Sequence, residues 1–207
     1  MQSIKLQKFA NPLIILLRIY AATGILVIVT NVINLIWMEA SLGLLSSIPM
    51  VFLYDIHNLI SFIYIFFIIY FIYKSQSYNF ERGVPDLKYS TTWIWIWWFI
   101  PIFNLWMPLR VVSETYLSSF KVKKDRLDFN DYNMIHNWWG SWILGLLLTS
   151  LAGPLYRSFI RQGFVGDSFY PIYIFEIVGS FLLCISALSF ISIINVLVSN
   201  QLITKDR

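Results

Sequence analysis

Glu176 has the chemistry that is hardest to explain by packing alone. It stands about seven residues into an apolar run, Phe169 to Val198, in the setting FYPIYIFEIVGS. An ionisable group held in lipid is costly, and such groups mark functional sites by default. The chemistry on offer is protonation or cation binding. The competing account is a carboxyl kept neutral, or bonded across a helix interface near the surface. Asp55, His57 and Asn58 open a second apolar run, and Asp55 and Asn58 share one helical face. All three could meet Glu176 at similar depth, forming a polar cluster suited to a cation or a proton relay. The alternative is a solvated helix start, with Asp55 near the positive end of the dipole.

Other reactive residues offer less. The two histidines, His57 and His136, fall in separate polar settings, with no Cys cluster and no His or Glu at ligand spacing. No metal or other cofactor is therefore expected. The single cysteine, Cys184, lies inside the last apolar run and reads as a small apolar filler. No nucleophile has a visible helper, and no glycine-rich phosphate loop occurs, so the pattern leans away from an enzyme. A lipid-acting enzyme using Asp55, His57 or Glu176 as acid or base stays open as one alternative. Arg18 is placed to snorkel from the first span to the headgroups. Arg110 and Glu114, spaced i, i+4, can pair at the membrane surface.

The elements that would position these residues are spans. Of 207 residues, 58% are apolar, 18% aromatic and only 13% charged. Soluble domains carry nearer a quarter charged residues. The formal charge of +4 does not point to nucleic acid, because the basic residues flank apolar runs as membrane anchors do. Four runs are long enough to cross a bilayer: Leu13 to Trp37, Ile56 to Tyr73, Ile135 to Leu155 and Phe169 to Val198. The third is read as ending at Gly153-Pro154. The first follows a short basic start and reads as a retained signal-anchor. The expectation is an all-α membrane protein, one domain over residues 1–207.

A fifth apolar stretch, Thr92 to Leu109, holds four of the nine tryptophans within Trp93 to Trp98, including Trp97 and Trp98. Pro101 interrupts it, Asn104 follows and Pro108 closes it. Tryptophan favours the headgroup level, and proline breaks a helix. The stretch is either a kinked span or a re-entrant segment, and Asn104 is placed to satisfy backbone groups freed at Pro101. Charge decides. With five crossings, eight Lys and Arg lie inside and seven outside; with four crossings the split is thirteen to two. Cytoplasmic loops hold the excess of basic residues. This favours four spans, a re-entrant fifth segment and both termini inside. Pro108 to Lys124 can then form an amphipathic helix on the inner surface.

The run from Lys88 to Leu109 resembles the signature of an uncharacterised bacterial membrane family, domain of unknown function 4328. The matching positions are Tyr89 and Ser90, Trp97 to Pro101, Asn104 to Trp106, Pro108, and then Trp138 and Trp139. Met107 departs from the pattern, standing where the family more often has a basic residue. The resemblance implies a multi-pass protein of a bacterial cytoplasmic membrane and implies no activity.

The sequence reading is thus a non-enzymatic membrane subunit, scaffold or accessory protein, with a small transporter or channel component as the first alternative. Membrane lipids and either a membrane protein partner or a second copy are the expected partners. The ligand or interface candidates are Asp55, His57, Asn58, Trp97, Trp98, Pro101, Asn104 and Glu176.

Overall fold

A computed structural model of the chain describes residues 2–37, 47–100, 102–123, 129–162 and 170–202. All the described elements are helical: α1 (Gln2–Trp37), α2 (Ser47–Glu81), α3 (Thr91–Phe99), a 3-10 turn (Phe103–Leu105), α4 (Met107–Lys123), α5 (Phe129–Arg161) and α6 (Tyr170–Leu202). Pro101 lies outside the described residues, as do Lys124 and Arg126 of the basic cluster.

Three helices contain stretches long and apolar enough to cross a membrane: Leu6–Ile36, Phe52–Glu81 and Tyr170–Gln201. Their outward faces carry large apolar side chains that a water-soluble protein would hide, among them Ile25, Phe62, Phe181 and the 67% exposed Phe52. Polar residues instead point inward, with Asn31, Gln76, Asn79 and Gln201 all buried. This inversion is what lipid as solvent demands.

α5 does not stop at Gly153-Pro154 but continues through Pro154 to Arg161. Proline removes one helical hydrogen bond and strains the preceding turn, and the helix continues beyond it with the remaining bonds intact. α1 likewise accommodates Pro12 and starts at Gln2, well before the apolar run begins.

The four long helices neighbour one another in the order α2–α1–α6–α5. α5 and α6 come closest at a pair of glycines. A Cβ on Gly145 would sit 2.9 Å from the Gly179 carbonyl oxygen, and one on Gly179 would sit 3.1 Å from the Gly145 oxygen. Small residues here let two backbones touch.

α2 and α5 end the row and share few contacts, and the helical hairpin of α3 and α4 fills one half of the space between them. α3 has nine residues, about 14 Å at 1.5 Å per residue. That is less than half the ~30 Å hydrocarbon thickness. The backbone then turns through the 3-10 segment, and α4 packs back along α3. Glu114 closes the hairpin: its Oε2 accepts from Lys88 N (3.0 Å) and its Oε1 from Tyr89 N (3.1 Å).

α4 is not a helix lying on lipid. Val111, Val112, Thr115, Tyr116 and Ser119 are fully or almost fully buried, and α4 contacts α2, α3, α5 and α6. Its amphipathic face meets protein, and the polar part of that face is bonded. Thr115 Oγ1 donates to Gln76 Oε1 (3.0 Å), Asn79 Nδ2 to the Thr115 carbonyl (3.1 Å), and Asn200 Nδ2 to Ser119 Oγ (3.1 Å). Gln201 Nε2 donates to Asn79 Oδ1 (3.1 Å) and the Ser75 carbonyl (3.2 Å). α2, α4 and α6 are thereby latched at one end of the bundle.

Candidate functional site

The half of the α2–α5 gap that the hairpin leaves open is a cavity of about 270 Å³. All four long helices line it. α1 supplies Tyr20; α2 supplies Tyr54, His57, Asn58 and Ser61; α5 supplies Thr149 and Ser150; α6 supplies Glu176 and Ser180. Ser61 lies four residues after His57 and three after Asn58, so it neighbours both on the helix surface; His57 is buried, Ser61 half-buried and Asn58 exposed at the edge of the cavity. Glu176 and Ser180 are likewise four apart.

His57 is buried and fixed on two sides. Its ring stacks on Tyr20, with centroids 4.4 Å apart and planes 17° apart. Its Nδ1 lies 2.9 Å from Thr23 Oγ1, and that hydroxyl lies 2.9 Å from the Tyr20 carbonyl. The Tyr20 carbonyl only accepts, and we assign the single Thr23 hydrogen to it. The Thr23 oxygen must then accept from His57, which places the ring hydrogen on Nδ1 and leaves the Nε2 lone pair free.

Tyr54 is held similarly, its hydroxyl oxygen accepting from Asn31 Nδ2 at 2.6 Å. Thr149 Oγ1 donates to the Gly145 carbonyl (3.0 Å) and Ser150 Oγ to the Leu147 carbonyl (2.9 Å). Both hydroxyls spend their hydrogen on their own helix and keep lone pairs. With the Glu176 carboxylate, the cavity is rich in acceptors. Among the described residues Glu176 has no ion-pair partner, and no group of three or more His, Cys, Asp and Glu side chains stands close enough to hold a metal ion.

The structure brings His57, Asn58 and Glu176 to one cavity. Asp55 is exposed and does not line it. Sequence reasoning did not name Tyr20, Thr23, Tyr54, Thr149 or Ser150, and read Ser180 only as a small residue that lets helices approach closely. Hydroxyl residues are common in apolar helices, and only the helix pairing shows which of them converge.

The tryptophan residues form a second, structural focus. Trp98 is buried edge-on between Trp139 (6.3 Å) and Trp142 (6.0 Å). Trp97 packs on Tyr89 (5.2 Å) and Trp93 (5.9 Å). Asn104 departs from the role expected of it. Its backbone N–H, not its side chain, bonds the Ile100 carbonyl (2.8 Å), and its Oδ1 is buried without a partner among the described residues. The indole N–H of Trp139 reaches the Leu105 carbonyl instead (3.1 Å). Arg110 and Glu114 form no ion pair, because Glu114 accepts backbone N–H groups and Gln76 Nε2 (2.8 Å).

No curated protein and no solved structure matches the chain. One family model does, described as a domain of unknown function (DUF4328), over residues 50–198. The match takes in Tyr54, His57, Asn58 and Glu176 and the whole tryptophan focus, and leaves out α1 with Thr23 and Tyr20. The positions that carry the sequence resemblance are also joined in space, through the Tyr89–Trp97 and Trp98–Trp139 packing and the Trp139–Leu105 bond. With most of its length matched, the chain belongs to the DUF4328 family.

Proposed function

We propose that this chain is a non-enzymatic, multi-pass protein of a bacterial cytoplasmic membrane that binds a small organic primary ammonium in the α1–α2–α5–α6 cavity. The observation that carries the reading is the unpaired Glu176 carboxylate in an acceptor-rich cavity lined by apolar helices. A carboxyl there is either protonated or met by a counter-charge, and a ligand cation supplies the second. A primary ammonium brings that charge and three donors, which suit Glu176, His57 Nε2 and the hydroxyl oxygens of Thr149 and Ser150. The volume of about 270 Å³ is many times the ~30 Å³ share of one water, so it accommodates a small molecule rather than a bare ion. The cavity favours a transporter or solute-sensing component over a bare scaffold, because a scaffold has no use for an unpaired charge at this depth.

The topology in this reading has four spans. α5 is the fourth, supported by its exposed Leu144, Leu147 and Leu151. α3 and the start of α4 form the re-entrant segment, supported by the shortness of α3 and by the Glu114 closure that returns α4 to the level of Lys88. Both termini are cytoplasmic on the basic-residue count. A second copy or another membrane protein covers part of the apolar exterior.

The test is thermal unfolding of the detergent-purified protein titrated with ethanolammonium at constant ionic strength, with sodium as control. Binding to the folded state alone raises stability by about 2.7 kcal/mol at a hundred times Kd. We expect ethanolammonium to raise the unfolding temperature of the wild type, and Glu176→Gln to abolish the rise. An equal response of both proteins, or none in the wild type, would refute the reading.

A further inference from the structure

A second concave site lies at the opposite end of the bundle, beside the hairpin. It is a groove of about 410 Å³ whose lining includes Lys88, Arg110, Ser113, Leu117 and His136. Asp86 and Glu114 also line it, so its formal charge is balanced on paper. Asp86 forms no ion pair with Lys88 or Arg110 among the described residues, and Glu114 is turned towards donors of the fold rather than towards the groove's cations. Both Glu114 oxygens are taken up by the Lys88 and Tyr89 backbone N–H groups and the Gln76 amide. Three fixed donors compensate that carboxylate within the fold. Among the described residues neither Lys88 nor Arg110 has a carboxylate partner. His136 Nδ1 lies 2.9 Å from the Tyr132 carbonyl. The ring hydrogen therefore sits on Nδ1, which orients the ring from its own helix. Ser113 adds a hydroxyl, and Leu109 and Leu117 add apolar wall.

We infer that this groove binds a phosphate group, with the Arg110 guanidinium as the bidentate partner, the Lys88 ammonium as the second charge and Ser113 as a neutral donor. Arginine's planar fork matches two phosphate oxygens, whereas lysine contributes a point charge. The apolar wall beside the cations fits a phosphate that carries an acyl chain, as in an anionic phospholipid headgroup. A soluble phosphate offers the same oxygens without using Leu109 and Leu117. The site is separate from the ammonium cavity and shares no lining residue with it.

The test is native mass spectrometry of the full chain, released from detergent after addition of phosphatidylglycerol, phosphatidylcholine or inorganic phosphate. Wild type, Arg110→Gln, Arg110→Lys and Lys88→Gln are compared, with Arg161→Gln as a surface control. The proposal expects preferential retention of phosphatidylglycerol. It expects at least about a tenfold loss for Arg110→Gln, the scale of losing a charge-assisted pair, and a smaller loss for Arg110→Lys. Arg161→Gln should retain wild-type binding. Retention of inorganic phosphate with the same variant pattern, and no lipid preference, supports the site and assigns it a soluble ligand. Equal retention across all variants overturns it, as does equal loss in Arg161→Gln. Arg110 is exposed, and an unchanged unfolding temperature for Arg110→Gln separates lost binding from lost folding.

Discussion

At the scale of single residues, the cavity depends on groups that hold other groups still. Thr23 is the clearest. Its hydroxyl links the Tyr20 carbonyl to His57 Nδ1, and so decides which ring nitrogen faces a ligand. Replacing Thr23 with valine keeps the shape but strands the ring N–H. Leaving a buried donor unsatisfied costs about 1–3 kcal/mol. Thr23→Val should therefore lower the unfolding temperature, and should weaken ethanolammonium binding although Thr23 does not line the cavity. Thermal melts with and without ethanolammonium check both parts. Glu176, His57 and Asn58 were legible as candidates because polar side chains are conspicuous in apolar runs. Thr23, Thr149 and Ser180 were not, since a hydroxyl on an apolar helix bonds its own backbone wherever it happens to face. Asp55 shows the converse error: it is conspicuous in sequence, yet exposed and outside the cavity.

At the scale of elements, hydropathy located four long helices, of which three carry stretches long and apolar enough to cross a membrane, because a span's length and apolarity are set by the bilayer and not by neighbours. Their ends were less legible. Helix continues past the apolar run where nothing stops it, as α2 does from Tyr73 to Glu81. α4 was misplaced onto lipid because an amphipathic pattern reads the same whether its apolar face meets acyl chains or protein. The α5–α6 crossing offers a sharp check on packing. A methyl on Gly145 would lie 2.7 Å from Leu183 Cγ and 2.9 Å from a backbone oxygen that cannot turn away. Overpacking of this kind costs about 1–3 kcal/mol. Gly140 has nothing within 4 Å of its Cβ position, and alanine there removes the ~0.5–1 kcal/mol helix penalty of glycine. Gly145→Ala should therefore melt lower than wild type and Gly140→Ala should melt at or above it. Equal midpoints for the two would contradict the close crossing.

At the scale of the whole molecule, four long helices form an incomplete ring that a short hairpin closes at one end, leaving the cavity at the other. The reading with residues 110–134 in the cytoplasm predicts that a cysteine at Asn130, in a Cys184→Ser background, is protected from an impermeant thiol reagent in intact cells. Labelling there would reverse the topology. The gap itself could not be read from the sequence, because it exists only through the order in which the helices pack. The Glu114 closure carries one more consequence. It grips the backbone N–H of Lys88 and leaves the side chain of that residue to the groove. Shape and ligand preference are thus written on different atoms of one residue. Descendants of this chain can exchange the side chain at position 88, and with it what the groove recognises, while the hairpin keeps its form.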